Sequence, residues 1–381
     1  MSAPKISVAV DARCLNGVHI RGMGKYILEM MTHMPKEPGI DWILLADRPD
    51  LPLHVPQGVE SRSAIRDCRG YRFHAWEQWM LPRMAKKHQA DVLHCVATTL
   101  PIWQTVATVV TVHDTLYWAE NNSAESASCK SFYWDGVIPR ALAKAHSIIT
   151  ISQQSLRDML ELWPGLEPKV EVIPHGVADR YLRARAQEMG RELRELLGRQ
   201  QYVLYIGGAL ERKRFAWALE IFREVQQRAP GLLLAACGFS SEEKNAAIAN
   251  IPAELRRSIR ILPYVHEEQM PALYQGAIAV LYPTLYEGFG LPVVESIASG
   301  TPILFSALGS LQELGGPGSV VVPPYEMRPW VDGVCNAIES RESRDLRRNE
   351  GQLWAQRFSW TKSAERHFAV YAAAGASLER I

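Results

Sequence analysis

Short apolar runs alternate with amphipathic stretches along the chain, strand-like and helix-like patterns taken in turn. Apolar runs predict strands at residues 6–10, 42–45, 91–94, 108–111, 147–150 and 169–173. Between them the spacing of apolar positions predicts helices, for example over 24–33 and 76–88. From Tyr202 the rhythm restarts, with a strand at 202–206, a helix at 215–228 closed by Pro230-Gly231, and a strand at 232–236. Further strands are predicted at 258–262, 279–282, 302–305 and 320–322. A polar stretch over 184–200, crowded with Arg and Glu, separates the two series. The last stretch, 360–374, is amphipathic, with Phe368 and Tyr371 on one side, and suits either half of the chain. Internal repeats and low-complexity tracts are absent.

Alternating strands and helices argue for β-α-β units and parallel sheets. At about 150 residues per domain, a chain of 381 residues holds two such domains. Two doubly wound α/β domains in tandem place ligands at the carboxyl ends of their strands, in a cleft between the domains. A single large α/β domain is the alternative.

Apolar residues make up 47% and charged residues 22%, which excludes wholesale disorder, collagen and coiled coil. With 42 Lys+Arg against 41 Asp+Glu the net charge is +1, so no global field recruits nucleic acid. The six cysteines, at 14, 68, 95, 129, 237 and 335, form neither a zinc ribbon nor a disulfide scaffold. Met1 leads at once to an apolar strand and then to Asp11 and Arg13, without a signal peptide's basic start and long apolar core. No run approaches the ~20 apolar residues of a membrane span. The expectation is a cytoplasmic protein.

The most informative segment is Tyr286-Glu287-Gly288-Phe289-Gly290-Leu291-Pro292-Val293-Val294-Glu295. A strand runs into a glycine-rich loop and then a helix with Pro292 expected at its first position. Free N–H groups at a helix start, with no bulk on Gly288 and Gly290, suit an anion. Glu287 and Glu295 can equally serve as capping and dipole partners. The second segment is Gly207-Gly208-Ala209-Leu210-Glu211-Arg212-Lys213, again strand, glycine turn and helix. Two cations at a helix start are locally unfavourable. A phosphate between them removes the conflict, although exposed pairs with Glu211 would also explain them.

Weaker signals lie in the first half. Arg21-Gly22-Met23-Gly24-Lys25-Tyr26 opens a helix after the first strand, but it lacks the third glycine of a dinucleotide fingerprint. His113-Asp114 closes a strand, as a relay or as a local turn. His175, in Ile173-Pro174-His175-Gly176-Val177, reads as structural. GxSxG, GxxxxGK[ST], HExxH and DxD patterns are missing. Over 69–87, Tyr71, Phe73, Trp76 and Trp79 interleave with Arg72, Arg83, Lys86 and Lys87. That pattern reads as a helix burying one face, or as a surface bringing Trp76, Trp79 and Met80 to anionic lipid.

With these residues in hand, the chain resembles the retaining nucleotide-sugar glycosyltransferases of family 4, and the likeness spans essentially its whole length. Glu287 to Glu295 is similar to the family's E-x7-E motif, and Tyr205 to Lys213 to its Y-V-G-x-x-x-x-R-K segment. Ile173 to Val177 resembles the I-P-x-G-V turn, and Ser299-Gly300-Thr301-Pro302 the C-G-T-P element, with Ser299 and His175 departing from the usual Cys and Asn. The resemblance implies the GT-B fold, two Rossmann-like doubly wound parallel-sheet domains facing a cleft. It places an acceptor-side domain at 1–181, joined by a returning helix at about 361–381, and a donor-binding domain at 182–360.

Carried over by position, Arg212 and Lys213 would hold the donor diphosphate and Glu295 the ribose. Backbone at Tyr264 and Val265 would meet the base. Glu287, with the backbone of Gly288, Phe289, Gly290 and Leu291, would bind the donor sugar. His113 would sit beside the reacting sugar, and Gly22 would let the N-terminal loop approach the phosphates. The implied reaction moves a hexosyl group with retention, best mannose from GDP-mannose, onto a glycan or lipid-linked saccharide in polysaccharide assembly. It needs no metal and no cofactor beyond the nucleotide sugar. A UDP-sugar donor is the alternative, as is a non-catalytic sugar-binding protein. A lipid-linked acceptor adds the expectation of peripheral contact with the inner membrane face.

Overall fold

A computed structural model describes residues 5–68, 72–120, 132–183, 188–339 and 344–376. Arg69, Tyr71, Cys129 and the first four residues of the polar stretch lie outside the described residues. The chain divides into two compact units, one of residues 1–176 with 360–381, the other of 177–359.

Unit 1 is built on a seven-stranded parallel sheet. Its strands are β1 (Ile6–Asp11), β2 (Ile40–Ala46), β3 (Ser61–Ile65), β4 (Val92–Cys95), β5 (Ala107–Val112), β6 (Ser147–Thr150) and β7 (Val170–Val172), in the order β3-β2-β1-β4-β5-β6-β7. Helices cover both faces, so the central strands read as continuous apolar runs rather than alternating ones. β3 was not expected. It is a polar edge strand, Ser-Arg-Ser-Ala-Ile, paired with β2 through Trp42↔Ser61 to Ala46↔Ile65.

The helix expected over 76–88 departs more instructively. It is a π-helix over Arg72–Met80 that passes into an α-helix at Leu81–Lys87, with Pro82 in the first turn. Hydrogen bonding to the fifth residue widens the π turn, so residues three and four apart no longer share a face. Trp76 is fully buried, its indole N–H 3.4 Å from Asp11 Oδ1, while Trp79 is exposed. Trp76 therefore belongs to the core and not to a lipid-facing stripe.

Unit 2 has a six-stranded parallel sheet of β8 (Tyr202–Ile206), β9 (Leu233–Cys237), β10 (Ile259–Ile261), β11 (Val280–Tyr282), β12 (Ile303–Ser306) and β13 (Ser319–Val322), in the order β10-β9-β8-β11-β12-β13. The polar stretch before it is not bare linker: it contains the helix Arg191–Leu197, which buries Leu193 and Leu197. In each sheet the order reverses once, between β1 and β4 and between β8 and β11. Loops leaving the two central strands diverge to opposite faces there and leave a crevice. Among the described residues no helix is long and apolar enough to cross a membrane.

The helix Trp360–Ala376 packs on unit 1, against β1, β4, β5 and the helix Gly22–Thr32. One carbonyl sets the direction of every hydrogen bond beneath it. His367 Nδ1 lies 2.7 Å from the Ser363 carbonyl, a contact only an N–H can make. In the neutral ring Nε2 is then an acceptor, and it takes the Tyr26 hydroxyl proton at 2.7 Å. Tyr26 in turn accepts from Thr111 at 2.9 Å, and Thr111 from His94 Nε2–H at 2.8 Å. His94 Nδ1 is left to accept from the Tyr371 hydroxyl at 2.8 Å. The chain of bonds begins and ends on the same helix.

Burial keeps both rings neutral: it holds His94 well below the usual histidine range and His367 at about 4. Neighbouring His175 and His113 are lowered by burial as well. Such groups gain protons on unfolding below the ordinary value of 6.5. Unit 1 should therefore be most stable above that pH and lose about 1.4 kcal/mol per pH unit per buried histidine below it, down to each lowered pKa. Urea unfolding between about pH 8 and pH 5 checks this. A midpoint that does not fall with acidification would contradict the neutral chain.

Candidate functional site

In unit 2 the crevice between β8 and β11 gathers the charged residues. Past β8 the backbone turns through Gly208 at φ +70°, where an added Cβ would stand 2.5 Å from the Gly238 carbonyl oxygen. A 3-10 turn over Glu211–Lys213 follows, and the helix Phe215–Arg228 starts after Arg214. The buried Tyr205 hydroxyl reaches the Gly208 and Lys213 carbonyls at 2.9 and 3.1 Å and so fixes the loop from below. Past β11 comes the second loop, whose Leu285 N–H donates to the Arg212 carbonyl at 2.8 Å.

That backbone bond brings the side chains together. Glu287 Oε1 accepts from Arg212 Nη1 at 3.0 Å, from Thr284 Oγ1 at 2.8 Å, and from Lys213 Nζ. Arg212 also donates to the Tyr286 carbonyl at 2.6 Å, and Lys213 to the Tyr282 hydroxyl at 3.1 Å. Burial alone would raise the Glu287 carboxyl, but the Lys213 and Arg212 charges and the hydrogen bonds outweigh it and hold it below the usual carboxylate range. Two cationic side chains thus face one carboxylate. All three bonds fall on one carboxylate oxygen, leaving Oε2 outside them.

Gly290, at φ +110°, precedes the helix Leu291–Ala298, and no side chain caps that helix. A Cβ there would meet Leu311 at 2.5 Å. Pro292 stands at the second helical position rather than the first. The Ser310 hydroxyl donates to the Glu287 carbonyl at 2.5 Å and lies 3.3 Å from that of Phe289, holding the glycine loop in place.

Glu295 lies apart from Glu287 in role. It is buried one turn into the helix and accepts from the Tyr274 hydroxyl at 2.7 Å. Tyr181 packs edge-on to Tyr274 with centroids 5.8 Å apart. Burial first, then the Glu295 charge, raise the pKa of both phenols. Thr301 donates to the Tyr274 carbonyl at 2.7 Å, so the Ser299-to-Pro302 turn steadies the partner of Glu295. Tyr264 is exposed beside His266, with Val265 buried after it. Tyr274, Tyr181, Thr284 and Ser310 escaped the sequence reading, since nothing local marks a buried tyrosine or serine as a carboxylate's or loop's support.

Unit 1 places its polar residues around its own crevice. His113 follows β5 and donates Nε2–H to the Val96 carbonyl at 2.9 Å, its ring edge-on to Tyr26 and beside His175. Asp114 does not relay to it: its carboxylate caps the Leu116 N–H at 3.1 Å. His175 is buried among Tyr26, His113 and Trp360 as core. Gly22 opens its helix, and an added Cβ there would meet nothing within 4 Å.

A second buried network joins Asp11, Arg13 and Glu77. Arg13 contacts Asp11 at 2.5 Å and Glu77 at 2.8 Å, and Glu77 also accepts from Thr99 at 2.5 Å and from Tyr133. Burial raises the Glu77 carboxyl despite Arg13 and these donors. Only Asp11 and Arg13, at the end of the first strand, were visible in the sequence. Among the described residues no group of three His, Cys, Asp or Glu is arranged to hold a metal ion.

Residues 20–180 match the family described as Glycosyltransferase Family 4, and residues 191–354 the family described as Glycosyl transferases group 1. The O-antigen chain mannosyltransferase B of Escherichia coli is 26% identical over 245 residues, 63% of this chain and 64% of that one. The MMP alpha-(1->4)-mannosyltransferase of Mycolicibacterium hassiacum is 27% identical over 247 residues, 62% of this chain and 57% of that one. The match thus spans less than two thirds of either relative's length. Among solved structures WaaG, a glycosyltransferase involved in lipopolysaccharide biosynthesis, superposes with a TM-score of 0.74 over 95% of this chain and 98% of its own, at 14% identity. That last likeness is one of fold.

Glu287→Gln should strand two half-buried cations, and removing one partner of such a cluster should destabilise unit 2 by up to roughly 3 kcal/mol. Calorimetry would show its unfolding midpoint lowered by several degrees. An unchanged midpoint would mean the cluster is not structural. In the wild type the Glu287 contribution is complete above the ordinary carboxyl value of 4.5 and is lost only as pH falls through its lowered pKa. Acid should therefore weaken unit 1 before it touches this cluster.

Proposed function

Because the chain belongs to the glycosyltransferases, family 4 in its first half and group 1 in its second, we propose that it transfers a hexosyl group from a nucleotide sugar with retention of anomeric configuration. Mannose from GDP-mannose is the donor we assign, and a glycan or lipid-linked saccharide the acceptor. The mannosyl activity named for both relatives supports that choice.

One observation carries the reading: Arg212 and Lys213 converge on a single carboxylate oxygen in the crevice where the strand order reverses. Breaking the anomeric bond leaves negative charge on the diphosphate. The two cations and the uncapped start of the helix Leu291–Ala298 are fixed before that charge develops, so they need no reorganisation to stabilise it. Glu287 keeps the cations from swinging into solvent, and its Oε2 is offered to hydroxyls of the donor sugar. Glu295, held by Tyr274, accepts from the ribose hydroxyls. The acceptor attacks the face the diphosphate leaves, and the departing phosphate oxygen takes its proton. Unit 1 is assigned the acceptor, and the neutral His113 has Nδ1 to offer a sugar hydroxyl once Nε2 is committed to Val96.

Arg212→Ala and Lys213→Ala should each lower kcat by about 10²–10³. Near-wild-type turnover at saturating donor would remove that residue from the diphosphate site. Since protein cations supply the charge, activity should survive EDTA. Full loss that Mg²⁺ restores would refute the metal-free mechanism. Thermal shift with a nucleotide panel tests the donor: GDP should raise the midpoint by mass action. Stabilisation by UDP alone would reassign the donor to a UDP-sugar, and none by any nucleotide would refute the site.

A further inference from the structure

On unit 1, away from the residues assigned above, two tryptophans stand in the open. Trp79 is 49% exposed and Trp103 63%, and their rings meet edge to face with centroids 5.6 Å apart. Nothing in the sequence pattern pointed to Trp103. The pair is held rigidly. Gln78 accepts from the Ile102 N–H at 2.9 Å and donates to the Leu100 carbonyl at 3.1 Å, while Thr105 donates to the Pro82 carbonyl at 2.6 Å. These bonds clamp the loop carrying Trp103 to the helices carrying Trp79, so the exposed indoles are presented rather than left over.

The helix that follows Trp79 is cationic on its exposed side. On the helix Leu81–Lys87, Arg83, Lys86 and Lys87 are exposed while Leu81, Met84 and Ala85 are buried. The Arg83 guanidinium lies 5.0 Å over the Trp79 ring and donates to the Trp79 carbonyl at 3.2 Å. Between residues 75 and 90 the one carboxylate is Glu77, which is fully buried and already paired with Arg13. A chain of net charge +1 thus carries here a cationic rim without a single exposed acid in that stretch.

We propose that this surface docks the protein onto an anionic lipid bilayer, Trp79 and Trp103 entering the headgroup boundary and Arg83, Lys86 and Lys87 meeting lipid phosphates. Indole rings with flanking cations suit that interface. A glycan platform needs carboxylates or amides beside the ring to bind hydroxyls, and the amide nitrogens of Gln78 and Gln104, next to the pair in sequence, are already spent on the Leu100, Pro101 and Ala141 carbonyls. The inference stands whether or not the donor assignment holds.

Sedimentation with vesicles of phosphatidylcholine and phosphatidylglycerol, set against phosphatidylcholine alone, tests it. The full chain should bind the anionic vesicles at low salt and release them at high salt. Trp103→Ala should weaken partitioning about tenfold. The triple change Arg83→Gln, Lys86→Gln and Lys87→Gln should weaken it about 100-fold, at about 1 kcal/mol per charge. All are surface changes, and an unchanged unfolding midpoint confirms that each variant is folded. Absent binding at low salt, binding equal on neutral vesicles, or folded variants that bind like the wild type would each overturn the proposal. So would retardation by a soluble mannan that Trp103→Ala abolishes, which would make the pair a sugar platform.

Discussion

The carboxylate of Glu287 is the point on which the candidate site turns. Arg212 and Lys213 sit next to each other in sequence, at the start of a helix whose dipole disfavours both. Left alone, two flexible cations would point into solvent in many rotamers. Glu287 reaches them from a loop more than seventy residues later, because β8 and β11 are neighbours in register, Leu204 beside Val280. The loops leaving these two strands have to meet, and the Leu285–Arg212 backbone bond settles how. Tyr205, Thr284, Tyr282 and Ser310 then support a geometry that the topology has already imposed.

The two units use the same place in the same kind of sheet for opposite electrostatics. At the β8–β11 crevice, two cations share one acid and the remainder is positive. At the β1–β4 end of unit 1, Asp11 and Glu77 share one cation, and Thr99 and Tyr133 complete the shell of Glu77. The first arrangement leaves a positive charge unbalanced, the one our proposal gives to the donor diphosphate. The second is already satisfied internally and serves to fix the loops that follow β1 and β4. Position at a switch crevice is thus a property of the fold, while the sign of the unbalanced charge distinguishes the two crevices.

Strands buried on both faces were legible because their apolar runs are continuous, and Tyr202–Ile206 and Ser147–Thr150 were read to the residue. β3 was not, because an edge strand with polar residues carries no such run. The π-helix at Arg72–Met80 was invisible for a related reason. Apolar spacing of three and four describes an α-helix, and no local sequence signal marks the switch to a wider turn. At the site, the glycines and charges showed themselves, since turns and unfavourable cations are local facts. Tyr274 and Ser310 did not, since their meaning lies in carboxylates and carbonyls brought to them by the fold. His113-Asp114 shows the converse: adjacency in sequence suggested a relay, and the backbone sent the two side chains to different partners.

Unit 1 is discontinuous, and this constrains how it can form. Its core cluster includes Trp360, Ala364, Val370, Tyr371 and Ala374 together with Val8, Tyr26 and Val109. Until the last helix exists, the sheet face carrying β1, β4 and β5 has only part of its cover, and Tyr26 and His94 lack the His367 and Tyr371 partners that orient them. The hydrogen-bond chain makes that helix more than an apolar cover. A sliding or rotated helix could still bury Leu-like surface, but it could not place His367 and Tyr371, one turn apart, on Tyr26 and His94 at once. Buried polar chains are favourable only when every member is satisfied, so register errors of the helix leave donors and acceptors stranded. Unit 2, by contrast, is continuous in sequence and holds its crevice within its own 183 residues. Contacts across such sequence separations form late. Unit 2 can therefore be complete while unit 1 still waits for the end of the chain.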